Sequence, residues 1–231
     1  MEVHMKISGL QKVSLVDFDG HVAATIFTAG CNFACPFCHN SSLVIGSPDA
    51  IDENEVLAYL QKRKNVLDSV VISGGEPTLH PDLPNFIKKI KKMGYLIKLD
   101  TNGTNTDMVK YLVENHLIDY IAMDIKNSME KYPTITGKMV DISSIENTIQ
   151  YIMTCGIDYE FRTTLVAEYH TIDDIESICQ YIAGAKRYFL QKFVDNAECI
   201  KGGLHEISKS EAYQFLDYVQ HFIPNAKLRG Y

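Results

Sequence analysis

Three thiols, Cys31, Cys35 and Cys38, fall within eight residues in the spacing C-x3-C-x2-C. They follow the apolar run Val22 to Phe27, which reads as a strand, and Gly30 opens the turn after it. A short loop can turn three sulfurs onto one centre, so shared metal binding is the first chemistry the pattern suggests. Three thiolates suit a cubane iron–sulfur cluster that keeps one iron without a protein ligand, since a complete set is four. Such an iron can bind a further molecule, as open catalytic zinc sites bind water. A zinc site short of one ligand and three unrelated reduced thiols are the other readings of this spacing.

Polar and glycine-rich residues recur after the later strand-like runs. Gly74-Gly75-Glu76-Pro77 follows Asp68 to Ser73, Asp100-Thr101-Asn102-Gly103 follows Tyr95 to Leu99, and Asp124-Ile125-Lys126 follows Tyr120 to Met123. Arg162-Thr163-Thr164 lies near the end of Tyr159 to Leu165. Glycines let a backbone come close to a ligand, and strand-end carbonyls can accept from an ammonium. A plain strand-to-helix turn stopped by Pro77 is the alternative. Asp100 and Asp124 end neighbouring strands, so their carboxylates can converge, which requires a cation, a proton or a basic partner such as Lys126. The alternatives are a helix cap for Asp100 and a surface ion pair for Asp124 and Lys126. The planar fork of Arg162 suits a carboxylate or ribose oxygen, against an isolated surface arginine. His39 can orient a thiolate or face a partner, or simply pack.

The elements that would position these residues alternate regularly. Residues 4–17 and 21–29 read as a β-hairpin turning at Asp19-Gly20. Helices are expected over about 52–63, 81–93, 106–115, 143–155, 172–183 and 209–222, with strands at 68–73, 95–99, 120–123, 159–165 and 187–193 between them. Strands alternating with helices imply parallel βαβ units. With the second hairpin strand counted in, six such strands fit, on spacing alone, either a partial barrel or an open doubly wound sheet. In both, ligands sit at the carboxyl ends of the strands. One shared site follows.

Composition narrows the partners. At 231 residues, 46% hydrophobic and 22% charged, the chain reads as one ordinary globular domain. Its net charge of -7 argues against a phosphate-tracking surface and so against nucleic acid. Lys88-Lys89-Ile90-Lys91-Lys92 reads as a solvated helix face. No apolar run reaches the ~20 residues of a membrane span, and Met1 to Gly9 has no signal-peptide core. Six cysteines, half of them scattered, fit a reducing cytoplasm better than a disulfide framework. Cys155, Cys179 and Cys199 read as buried small hydrophobes.

The cysteine spacing, with Phe37 before the third thiol, resembles that of the radical S-adenosylmethionine (SAM) enzymes. Cys38-His39-Asn40 and Gln11-Lys12-Val13-Ser14-Leu15-Val16-Asp17 resemble the activating enzymes of glycyl-radical enzymes, most of all the anaerobic ribonucleoside-triphosphate reductase activating proteins. The similarity runs from Gln11 to Leu228-Arg229-Gly230-Tyr231. Asp19 departs from it, standing in a turn where proline is expected.

The resemblance implies a partial, laterally open (β/α)6 TIM-like barrel with an N-terminal β-hairpin. It implies a single domain over 1–231, with a hairpin extension at 1–20, a barrel core at 21–200 and a C-terminal helix and tail at 201–231. It places a 4Fe–4S cluster on Cys31, Cys35 and Cys38. The amino group of SAM falls to Gly74, Gly75, Glu76 and Pro77. Asp100 and Asp124, with Thr101, would form a monovalent-cation site beside the SAM carboxylate. Lys126 would meet that carboxylate, and Arg162 and Thr164 would make further SAM contacts.

The implied reaction is reductive cleavage of SAM to methionine and a 5′-deoxyadenosyl radical, which takes a Cα hydrogen from a glycine of the partner reductase. A flavodoxin- or ferredoxin-type protein would supply the electron. No general base is needed, and no hydrolase motif such as G-x-S-x-G is present. The absence of a cysteine-rich insert between Cys38 and Gly74 favours the reductase activase over longer relatives. One rival is a radical SAM enzyme acting on a small molecule such as a 7-deazapurine precursor. The other is a non-catalytic metal-binding or electron-carrying module, which leaves Gly74 to Pro77, Asp100 and Lys126 without a role.

Overall fold

A computed structural model describes residues 5–45, 50–196 and 198–231. Met1 to His4, including the first residue of the expected hairpin, lie outside the described residues. The elements run β1 (Ile7–Ser14), β2 (Ala23–Thr28), α1 (Ser41–Ile45), α2 (Glu53–Arg63), β3 (Ser69–Gly74), α3 (Leu83–Lys91), β4 (Leu96–Thr101), α4 (Thr106–Glu114) and β5 (Tyr120–Asp124). They continue with α5 (Tyr132–Thr136), α6 (Ile142–Thr154), β6 (Asp158–Leu165), α7 (Ile172–Ile182), β7 (Tyr188–Lys192), α8 (Lys209–Gln220) and β8 (Lys227–Arg229). The sheet is open and holds eight strands in chain order, β1 to β8.

One compact unit comprises 1–32, 42–101 and 105–121. There β1 pairs antiparallel with β2, from Ile7 opposite Thr28 to Ser14 opposite Ala23. Gly20, at φ 82°, supplies the left-handed turn position between them. β2 then pairs in parallel with β3, Ala23 to Ser69 through Thr28 to Gly74, and β3 with β4. Val70, Val71, Ile72, Ile97 and Leu99 are fully buried, the continuous apolar pattern of parallel strands covered on both faces. Helix α3 covers them with Leu83, Phe86, Ile87 and Ile90, spaced to form one stripe. Its lysines face outward as expected, Lys89 paired with Glu53 and Lys91 with Asp119.

The other unit comprises 33–41, 102–104 and 122–231. β6 pairs in parallel with β7, Phe161 opposite Tyr188, and β7 with β8, Phe189 opposite Lys227. Helix α7 starts on a reciprocal cap in which the Thr171 hydroxyl accepts from Asp174 N–H and the Asp174 carboxylate accepts from Thr171 N–H. Among the described residues, no helix is long and apolar enough to cross a membrane.

Most expected elements are present within two residues of their boundaries. Three differences stand out. β8 extends the sheet into the segment read as helix and tail; three residues carry too little alternation to announce a strand. α1 and α5 are five residues each, under two turns, and too short for a periodic signal. Of the scattered thiols only Cys179 is fully buried, its pKa pushed up to about 11 by burial and by Glu176. Cys155 and Cys199 are half-buried, so the reading of all three as core residues is corrected.

Candidate cluster and cofactor site

In the first unit, the end of β3 meets the end of β2 backbone to backbone. Gly75 N–H donates to Thr28 O at 2.9 Å, and Glu76 N–H donates to Gly30 O at 2.8 Å. A Cβ on Gly75 would stand 2.0 Å from Gly30 O, and one on Gly74, at φ 117°, would stand 2.3 Å from Thr28 N. The glycine pair therefore lets β3 lie against the segment that leads into Cys31. This close approach is to the chain's own backbone, a use that the motif alone did not disclose.

Glu76 is fully buried, and its Oε1 accepts from Thr78 N–H at 3.0 Å, Thr78 Oγ1 and Thr101 Oγ1 at 2.8 Å. It caps the 3-10 turn Pro77–Leu79 and ties it to β4. Thr101, expected as a cation ligand, is thus engaged with Glu76. Asp100 does not cap α4, whose cap is Asn105, accepting from Met108 N–H at 3.2 Å. Instead Asp100 accepts from Ser73 Oγ at 3.1 Å and lies 3.7 Å from Lys98 Nζ. Lys98 is 3% exposed, donates to Asp17 O at 2.6 Å and lies over the Phe18 and Tyr120 rings. A charge inside Leu96-Ile97-Lys98-Leu99 was the available signal, because a buried ammonium needs partners.

In the second unit, Cys38 N–H donates to Cys35 O at 3.0 Å, the turn that draws these two residues together. The loop is tied on both flanks, Ala34 N–H to Thr136 O at 2.7 Å and Lys201 N–H to Pro36 O at 2.8 Å. Phe33 and Phe37 are buried beneath it, beside Tyr132 and beside Tyr169 and His170.

Asp124 is held between two cations, Arg162 Nε at 2.7 Å and Lys126 Nζ at 3.1 Å. Burial alone would raise its pKa, but Arg162 and Lys126 override it and hold the carboxyl well below the usual range. Lys126 is the mirror case: burial would lower it, yet Asp124 first, and Cys35 and Cys38 after it, hold it well above the ordinary lysine value. Its backbone is fixed by Tyr132 Oη, which accepts from Lys126 N–H at 3.1 Å. His170 Nε2, 2.9 Å from Lys126 O, is the donor there, since Nδ1 accepts from Val166 N–H.

Arg162 is no isolated surface residue. Its NH1 lies 3.9 Å from Glu160, a 2% exposed carboxylate that also receives Arg229 NH1 at 3.2 Å. Thr164 follows two residues on, on the same strand face and half-buried. Lys98, His170, Glu160 and Arg229 were absent from the sequence-level site. Glu160, between Tyr159 and Phe161, carried the same signal as Lys98.

The donor set fits an iron–sulfur cluster: cysteines outside any disulfide, two of them drawn together by the Cys38-to-Cys35 turn of a loop tied on both flanks. Among the described residues no three His, Cys, Asp or Glu side chains are already gathered at metal spacing. Sites of this kind are commonly completed by the metal itself.

Residues 25–182 match the radical SAM superfamily. A protein of Methanocaldococcus jannaschii named as a glycyl-radical enzyme activating enzyme is 33% identical over 192 residues, covering 81% of this chain and 79% of its own. A second, so named and from the same organism, is 30% identical over 164 residues, covering 69% of this chain and 62% of its own. The chain thus spans less than two thirds of that second relative. Among solved structures, Streptococcus suis SuiB bound to S-adenosylmethionine aligns with a TM-score of 0.70 and 16% identity over 87% of this chain and 48% of SuiB, a likeness of fold. The alternation of strands and helices is therefore that of a partial TIM-like barrel. A superfamily match across most of the chain, on that barrel, makes this protein a member of the radical SAM superfamily and an enzyme that uses a 4Fe–4S cluster and SAM.

Proposed function

We propose that this enzyme, acting as a single domain in the cytoplasm, generates a glycyl radical on a partner enzyme, an anaerobic ribonucleoside-triphosphate reductase. The observation that carries the reading is the 33% identity, over 81% of the chain, to a protein named as a glycyl-radical enzyme activating enzyme. The lack of a cysteine-rich insert between Cys38 and Gly74 supports the reductase as partner. Bound together, cluster and SAM supply one-electron cleavage of the sulfonium to methionine and a 5′-deoxyadenosyl radical.

The chain's own residues bind and orient. Cys31, Cys35 and Cys38 hold the cluster. The strand end Gly74 to Pro77 offers carbonyls to the SAM ammonium. Lys126 presents its charge to the SAM carboxylate, aimed by Asp124 and by the contacts of His170 and Tyr132 with its backbone. Asp100, Thr101 and Asp124 are assigned to a monovalent cation, and Arg162 and Thr164 to further SAM contacts. A flavodoxin- or ferredoxin-type protein delivers the electron.

The test is anaerobic reconstitution with iron and sulfide, then reduction with SAM and the purified reductase. 5′-Deoxyadenosine together with a glycyl-radical EPR doublet on the reductase is the expected result. 5′-Deoxyadenosine without that doublet would move the substrate to another glycyl-radical enzyme or a small molecule. No 5′-deoxyadenosine from a loaded cluster, even with the reductase present, would sink the activase reading.

A further inference from the structure

His39 follows the third cysteine, and its imidazole is pinned. The ring stacks on Phe193 at 5.3 Å between centroids and 18° between planes. Its Nε2 is buried and has no hydrogen-bond partner among the described residues. A buried ring nitrogen left unpaired is costly, and buried polar groups nearly always have a partner. The surrounding chain is tied in place, with Ser41 N–H donating to Glu198 O at 3.4 Å and Lys201 N–H to Pro36 O at 2.8 Å. Turning Nε2 out to water would therefore forfeit the stack. The acceptor that arrives beside residue 39 in the loaded enzyme is the cluster, whose third thiolate is the adjacent Cys38.

We propose that His39 Nε2–H donates a hydrogen bond to a sulfur of the cluster and raises its reduction potential, with Phe193 as the shelf that orients the ring. A donor favours the reduced cluster because that state carries one more negative charge, and hydrogen bonds to the sulfurs are among the main levers on these potentials. His39 is then a positioning and tuning residue, not an iron ligand, so the fourth iron stays open to SAM. The inference rests on the assignment of Cys31, Cys35 and Cys38 to the cluster. It does not depend on which substrate receives the radical.

The experiment is an EPR-monitored redox titration of the reconstituted full chain without SAM, with iron and sulfide counted per chain. His39→Phe keeps an aromatic ring on Phe193 and removes the donor. Its midpoint is expected to fall by the equivalent of a tenfold change in the reduction equilibrium, ~59 mV for one electron, at unchanged iron content. His39→Gln, which returns an N–H, is expected to restore most of the shift. An unchanged midpoint in fully loaded His39→Phe overturns the proposal. The wild-type enzyme with nitrogen-15 histidine gives a reading that needs no variant. A weak hyperfine coupling from one histidine nitrogen is expected in the reduced state, whereas no coupling, or the strong coupling of an iron-bound nitrogen, overturns the proposal. Failure of the activase reading would appear separately, as a missing glycyl radical with the midpoint shift intact.

Discussion

Asp124 shows how one carboxylate can set the charge state of its surroundings. Its two cationic partners keep it ionised, and it in turn keeps Lys126 protonated and directed. Asp124→Asn is expected to cost about 2 kcal/mol at pH 7, since a partly buried pair loses one partner. Because the folded pKa is depressed, that contribution is present above the unfolded value near 4 and fades as pH falls below it. Urea denaturation at pH 7 and pH 3 checks both parts, and an equal loss at the two pH values would refute the electrostatic account.

His170 carries the opposite risk. Burial lowers its pKa despite the nearby carbonyl oxygens of Lys126 and Val166, which oppose the shift. The unfolded imidazole takes a proton near pH 6.5 while the folded one resists it, so this group makes stability fall as pH drops below ~6.5, by up to ~1.36 kcal/mol per unit. His170→Gln should flatten that stretch of the stability profile between pH 5 and 7. Cys35→Ala, by contrast, should abolish SAM cleavage while leaving the circular dichroism of the apo chain unchanged; retained cleavage would falsify the cluster assignment.

At the scale of elements, the loops after the strands are held by packing as much as by their own sequence. Gly75 is the sharpest instance, because a methyl group there would collide with the Gly30 carbonyl. Gly75→Ala is expected to lower stability by at least ~2 kcal/mol, the range of forced backbone displacement, and to reduce iron loading by shifting the entry to Cys31. A thermal melt with iron analysis separates the two effects, and a fully loaded variant of unchanged melting temperature would contradict the packing argument. Glu76 teaches the complementary point: its side chain organises the 3-10 turn and β4 through Thr78 and Thr101. The loop's shape therefore depends on a carboxylate that the motif would assign to ligand binding.

At the scale of the molecule, charge is gathered inside a chain whose sheets read as apolar. Glu160 lies between Arg162 and Arg229, and Arg229 stacks on Phe189 at 3.8 Å, so the last strand of the sheet neutralises a carboxylate 69 positions earlier. Arg229→Ala should destabilise the apo enzyme by about 3 kcal/mol, because a 2% exposed carboxylate loses a close cationic partner. Chemical denaturation measures this directly, and a loss under ~1 kcal/mol would show that Glu160 reaches solvent or another donor.

Strand and helix order, and the three-cysteine loop, were legible because each is written in local spacing: apolar runs of strand length, helical stripes, thiols three and four residues apart. So was the position of Gly74, Asp100 and Asp124 at the ends of their own strands, since polar residues break the apolar runs there. What only the tertiary structure decided is which buried charges meet. Lys98 with Asp17 and Asp100, His170 with Lys126, and Glu160 with Arg229 join residues far apart in the chain. Such pairs leave no periodic trace, because their partners are chosen by strand register and loop closure. The same cause hid β8, whose three residues become a strand only when β7 is there to pair with them.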